Sequence, residues 1–263
     1  MKTLLVLALL ATTATTALAQ GGEVTLTNPA PAPVKPTIWL IGDSTVNNGT
    51  KGQMGWGTVL PQFFNTDKIT IENRARGGRS SRTYYTEGLW KAVEDQLKPG
   101  DFVLMQFGHN DGGGTYTGQR GRSSIKGNSE ETKEVTHEDG KTETVHSFGW
   151  YERQYIEGAK AKGATPIVLS LVPRNDWAEG KVLRANTGYG LYAKQAAEQE
   201  KAAFVDLNEI IGKHYDELGQ EKVASYFPVE HTHTNEAGAT LNAQSVVEGL
   251  RALPGDPFAS YVK

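Results

Sequence analysis

The sequence predicts an α/β protein, a three-layer α/β/α sandwich around a five-stranded parallel sheet. Two observations carry that reading. Apolar strand-like runs alternate with helix-like stretches along the chain. The run Asp101-Phe102-Val103-Leu104-Met105-Gln106-Phe107 is apolar at nearly every position, as a strand covered on both faces must be. A length of 263 residues suits one such domain.

Ahead of the domain, Met1-Lys2, the apolar stretch Leu4 to Ala11 and Ala17-Leu18-Ala19 match a secretory signal peptide over residues 1–19. The apolar stretch is too short to span a bilayer. Residues 20–36 include Asn28-Pro29-Ala30-Pro31-Ala32-Pro33 and read as an extended, Pro-rich leader. The mature protein is therefore expected outside the cytoplasm, extracellular or periplasmic, with its domain over residues 37–263.

Thr37-Ile38-Trp39-Leu40 opens the first strand, which stops at Ile41-Gly42-Asp43-Ser44-Thr45. Gly55 to Phe64 reads as helical, and Ile69 to Asn73 alternates as the second strand. Arg74 to Arg82 is a Gly/Ser/Arg loop. Leu89, Val93 and Leu97 form one helical stripe, ended by Lys98-Pro99-Gly100. The third strand runs into Gly108-His109-Asn110-Asp111. Residues 112–147 then interrupt the rhythm as an insertion. Its second half, Glu134 to Val145, alternates around Asp139-Gly140 and predicts a solvent-exposed hairpin with a type I′ turn. Such an insertion serves as a lid or binding loop, or decorates the surface.

Trp150 to Ala161 reads as helix, and Thr165 to Leu171 as the fourth strand, with Pro166 tolerated at its start. Gly190 to Lys201 is helical, Ala203 to Leu207 is the fifth strand, and Ile210 to Leu218 is helical. The loop Glu230-His231-Thr232-His233 precedes a last helix over Glu236 to Leu250, capped by Thr234 or Asn235.

Composition excludes several classes. The 38% hydrophobic and 22% charged content is that of an ordinary soluble protein. A net charge of −3 gives no global attraction for nucleic acid, and nothing points to a membrane partner. The absence of cysteine removes disulfides and thiolate chemistry. His109, His231 and His233 show no metal-ligand spacing, so neither metal nor cofactor is expected. A monomer is the expectation.

The loops after the strands carry a parts list for acyl transfer. Ser44 offers a hydroxyl at the sheet's carboxyl edge, where open α/β sheets bind ligands. Gly77-Gly78 exposes backbone N–H groups, Asn110 supplies a side-chain amide, and Glu230-x-x-His233 pairs a base with a carboxylate. These blocks resemble those of the SGNH, or GDSL, hydrolases: Gly42-Asp43-Ser44, then Asn73 to Ser80, then Gly108-His109-Asn110-Asp111, then His233. Within that superfamily, Gly78-Arg79-Ser80-Ser81-Arg82, Gln106 to Asp111 and His231-Thr232-His233-Thr234 resemble the rhamnogalacturonan acetylesterases. The resemblance spans Thr37 to about Leu250.

It implies a flavodoxin-like topology, Ser44 as nucleophile, His233 as base, and an oxyanion hole from Ser44, Gly78 and Asn110. The family usually places Asp three residues before the histidine. This chain has Glu230, expected to orient His233, with a backbone carbonyl as the alternative. Arg74, Arg76, Arg79 and Arg82 either pair with nearby acids or form a cationic lip for galacturonate carboxylates, with Arg79 and Arg82 as the candidate contacts. Trp56, Trp150 and Trp177 are candidates for sugar stacking, of which Trp56 is the foremost, or pack in the core. The expected activity is deacetylation of pectic rhamnogalacturonan. Acetyl-xylan or a lipid ester is the alternative substrate, and a non-catalytic glycan-binding protein the alternative class.

Overall fold

The computed structural model describes residues 35–263. The signal peptide expected over residues 1–19 and most of the Pro-rich leader lie outside the described residues.

The chain begins with β1 (Thr37–Gly42), a short helix α1 (Trp56–Val59) continued by a 3₁₀ turn, and β2 (Thr70–Asn73). Two short helices, α2 (Ser81–Thr86) and α3 (Leu89–Glu94), lead to β3 (Phe102–Gln106). The insertion carries β4 (Thr132–Thr136) and β5 (Thr142–His146). Then follow α4 (Phe148–Ala161), β6 (Thr165–Leu169) and a small ribbon of β7 (Trp177–Ala178) with β8 (Lys181–Val182). The chain closes with α5 (Tyr189–Gln199), β9 (Ala203–Val205), α6 (Leu207–Leu218), α7 (Gln220–Ala224) and α8 (Glu236–Arg251).

The main sheet has five strands in the order β2-β1-β3-β6-β9, every neighbouring pair parallel. Alternation along the strands feeds two cores. Ile38, Leu40, Leu104 and Ile167 face one layer, with Ile211 of α6 and Ala243 and Val246 of α8. Trp39, Ile41, Val103, Met105 and Val168 face the other, with Tyr84, Trp90, Tyr155 and Ala193 from α2, α3, α4 and α5. This is the three-layer sandwich that the sequence predicts. The chain leaves β1 toward β2 and leaves β3 toward β6, so the strand order reverses between β1 and β3. A crevice opens there at the carboxyl edge.

Three local expectations change. The Arg74–Arg82 stretch does not stay a loop to its end. Ser80 caps α2: its Oγ accepts the Thr83 N–H at 3.1 Å, and Thr83 Oγ1 accepts the Ser80 N–H at 2.9 Å. The hairpin turn is not type I′, which needs positive φ at both central residues. Gly140 N–H closes on the His137 carbonyl at 2.9 Å, and Gly140 alone is left-handed, at φ 81°. Nor is the ribbon exposed on all sides, because Val135 and Val145 are buried against Ile125. The α8 cap resolves to Asn235, whose Oδ1 accepts the Gly238 N–H at 3.1 Å. Thr234 instead ties its loop to Met54 through its own carbonyl and hydroxyl.

One core residue is out of character. Glu152 of α4 is 1% exposed, and neither carboxyl oxygen has a partner among the described residues. Burial, with Asp111 nearby, holds this carboxyl well above the usual range. A buried unsatisfied polar group costs about 1–3 kcal/mol. Glu152→Met keeps the side chain's length and removes that cost. Chemical denaturation at neutral pH should show a gain of about that size; a lower midpoint would mean that the carboxyl is satisfied in solution.

Candidate active site

The turn after β1 is built on close backbone approach. A Cβ at Gly42 would lie 2.6 Å from the Gln106 carbonyl oxygen on β3, so only glycine lets the two strand ends meet. The fully buried Asp43 then organises the turn. Its Oδ1 accepts the Thr45 N–H at 2.8 Å and the Thr45 hydroxyl at 2.7 Å, and its Oδ2 faces His109 Nδ1 at 3.3 Å. Burial opposes the charge, but His109 and Thr45 outweigh it and hold the Asp43 carboxyl below the usual range.

Ser44 projects from this turn with its Oγ 2.6 Å from His233 Nε2. On the far side of the ring, His233 Nδ1 lies 2.6 Å from Glu230 Oε1. A carboxylate only accepts, so Nδ1 carries the proton and Nε2 is left to accept from the serine hydroxyl. The carboxylate is itself fastened: Oε1 accepts the His233 N–H at 2.7 Å and Oε2 accepts the Thr232 N–H at 2.8 Å. Burial raises the Glu230 pKa, but those N–H groups and the His233 ring outweigh it, so the carboxyl sits below its ordinary value. A hydroxyl, an imidazole and a carboxylate in line are the arrangement that yields a serine nucleophile.

The Gly77-Gly78 loop passes beside Ser44: a Cβ on Gly77 would lie 3.6 Å from Ser44 Cβ. Gly78 is left-handed, at φ 78°. Neither its N–H nor that of Ser44 donates to a protein acceptor among the described residues. Asn110 Nδ2 gives one hydrogen to the Arg79 carbonyl at 2.9 Å, which leaves its second free. Asp111, next along, is pushed up to about 6 by burial, against hydrogen bonds from Ser81 and Ser124. Ser81 Oγ donates to it at 2.5 Å and Ser124 Oγ at 2.9 Å, which ties this loop to the start of α2 and to the insertion. Ser44, Gly77, Gly78, Asn110 and His233 line one open cleft of about 700 Å³.

Residues 40–241 match the family described as GDSL-like lipase/acylhydrolase. The chain belongs to this family. It is a serine ester hydrolase. A rhamnogalacturonan acetylesterase of Emericella nidulans is 34% identical over 84% of this chain and 86% of its own length. A Bacillus subtilis protein named as a probable rhamnogalacturonan acetylesterase, YesY, is 33% identical over 82% of this chain and 93% of its own. Among solved structures, YxiM of Bacillus subtilis superposes with a TM-score of 0.67 at 28% identity, over 82% of this chain and 56% of that one.

In this GDSL-like hydrolase the structure gathers Ser44, Gly78, Asn110, Glu230 and His233, and does not gather the expected sugar contacts. Arg82 is 1% exposed, its guanidinium spent on Glu143 at 2.6 and 2.7 Å and on the carbonyls of Ser123 and Tyr116. Arg79 turns to Glu87 at 2.9 Å and to the Gly77 carbonyl, outside the cleft lining. Trp56 is 1% exposed and donates through Nε1 to Gln106 Oε1 at 2.9 Å, so it is a core residue rather than a stacking platform. The three histidines have separate partners: His109 faces Asp43, His231 faces Asp176, and His233 faces Ser44 and Glu230. Arg122 enters the cleft from the insertion, where no periodicity or motif singles it out.

The Glu230 contacts set a pH dependence. Its folded pKa is depressed, so its contribution to stability is full above the ordinary value of 4.5 and lost as pH falls through the folded value. Wild type should melt above Glu230→Gln at neutral pH, and the difference should close as the solution is acidified below 4.5. A difference that ignores pH would mean that the charge plays no part in holding the loop.

Proposed function

We propose that the protein is a carbohydrate esterase that removes acetyl groups from rhamnogalacturonan, with Ser44 as the nucleophile. One observation carries the chemistry: the Ser44–His233–Glu230 line lies beside N–H groups of Ser44 and Gly78 that no acceptor among the described residues occupies. The substrate rests on relatives named as rhamnogalacturonan acetylesterases that match nearly their whole length. The export signal read at the N-terminus supports a polymer substrate outside the cell.

In this reading, His233 Nε2 takes the Ser44 proton as Oγ attacks the acetyl carbonyl carbon. The oxyanion forms against the N–H groups of Ser44 and Gly78 and the free amide hydrogen of Asn110. One such donor is worth about 10²–10³ in kcat. The ester C–O bond to the sugar then breaks, and His233 returns the proton to the departing hydroxyl oxygen. Water repeats the sequence on the acetyl-enzyme, releasing acetate and restoring Ser44. Glu230 keeps the ring in the required tautomer and stabilises the imidazolium.

Acetate release from acetylated rhamnogalacturonan and from acetylated xylan, measured side by side, tests both parts. Release from the pectic polymer should fall on the order of 10⁴-fold or more in Ser44→Ala and about 10²–10⁴-fold in Glu230→Gln. Release from xylan alone would retain the serine mechanism and overturn the substrate. Undiminished turnover by Ser44→Ala would overturn the mechanism.

A further inference from the structure

The arginines near the cleft divide into two kinds. Arg74, Arg79 and Arg82 are each paired with a glutamate, at 3.2, 2.9 and 2.6 Å respectively. Arg76 and Arg122 pair with no carboxylate among the described residues, and both line the cleft that holds Ser44 and His233. Among the described residues, no aspartate or glutamate lines that cleft. Two separate segments, the loop after β2 and the insertion, thus bring uncompensated cations to one acid-free wall of a chain whose net charge is −3.

Arg76 and Arg122 thus differ from their neighbours Arg74, Arg79 and Arg82, whose charges are met by acids. Two guanidinium groups facing one cleft repel each other, and an anion between or beside them relieves that repulsion. A guanidinium presents a planar fork of donors that fits a carboxylate better than a neutral hydroxyl. Arg122 donates to the Gly78 carbonyl through Nη1, at 3.2 Å. That bond consumes part of its donor set and places the charge next to the proposed oxyanion loop.

We propose that Arg76 and Arg122 form a carboxylate-binding subsite beside the Ser44–His233 pair, and that it takes an acidic sugar unit of the polymer. This deepens the reading of the protein as a rhamnogalacturonan acetylesterase and rests on it. The subsite selects an acidic backbone over a neutral one and fixes where along the polymer the acetyl ester meets Ser44.

The test compares wild type with Arg76→Gln, Arg122→Gln and Arg122→Lys. Unacetylated oligogalacturonate should inhibit wild-type hydrolysis of p-nitrophenyl acetate competitively. Its Ki should rise about tenfold in either glutamine variant, the scale of one charge-assisted hydrogen bond. Added salt should weaken the inhibition, and Arg122→Lys should recover part of it. The ratio of kcat/KM on acetylated rhamnogalacturonan to that on the aryl ester should fall by a similar factor in the glutamine variants. Wild type that deacetylates the pectic polymer, with Ki and that ratio unmoved in the variants, would overturn the subsite and leave the function standing. Inhibition that depends on the arginines in an enzyme inactive on the pectic polymer would do the reverse. Equal losses on both esters, with Arg122→Lys as impaired as Arg122→Gln, would make Arg122 a support for the Gly78 carbonyl and overturn the subsite.

Discussion

The buried carboxylate of Asp43 fixes the position from which everything else at the site is measured. It sits one residue before Ser44, holds its own turn through Thr45, and meets His109 from the loop after β3. His109 in turn donates through Nε2 to the Val172 carbonyl beyond β6, at 3.0 Å. A chain of hydrogen bonds therefore crosses the carboxyl ends of β1, β3 and β6, the strands on either side of the point where the sheet reverses its order. Each of these groups is shielded from water, so the bonds are strong and an unpaired member would be costly. Ser44 and Asn110 belong to different loops, yet their separation is set by this link rather than by loop preference.

The histidine arrives from the other end of the sequence, and its loop has its own clasp. An aspartate three residues before the histidine would carry its carboxylate on a shorter arm. Here the longer glutamate folds back over its own turn and accepts the backbone N–H groups of Thr232 and His233 as well as the ring. The extra methylene is thus absorbed locally, without displacing the ring from Ser44. The same bonds that orient the ring also close the turn, which couples loop geometry to the protonation state of one carboxyl.

Much of this was legible because it depends on patterns the backbone enforces. Continuous apolar strands such as Ile38-Trp39-Leu40-Ile41 and Val103-Leu104-Met105 have only one way to be buried, covered on both faces of a sheet. Ser44, Gly78 and Asn110 follow strands directly, so sequence order nearly fixes their place. The arginines show the limit of that reasoning. Arg82 and Arg76 are alike in the sequence, but a cap at Ser80 places Arg82 in a helix that faces the insertion, whereas Arg76 stays in the loop at the cleft. Arg122 lies in a stretch without periodicity, and only long-range packing against Gly78 brings it to the site. The Asp139-Gly140 turn fails for a different reason, since glycine alone took the left-handed conformation and the added loop residue accommodated the rest.

The insertion is the element whose role sequence left most open, and its contacts argue against a decorative part. Glu143 of β5 is the acid that neutralises the buried Arg82, and the carbonyls of Tyr116 and Ser123 take that guanidinium's remaining donors. Ser124 helps to satisfy Asp111, which also receives the N–H and hydroxyl of Ser81 at the start of α2. Removing the insertion would leave a buried arginine without its counter-charge and weaken the anchor beside Asn110, each a costly defect. The segment is therefore tied into the domain at these buried contacts, although much of its ribbon faces solvent. With its neighbours Ser123 and Ser124 held at Arg82 and Asp111, Arg122 reaches the cleft and donates to the Gly78 carbonyl.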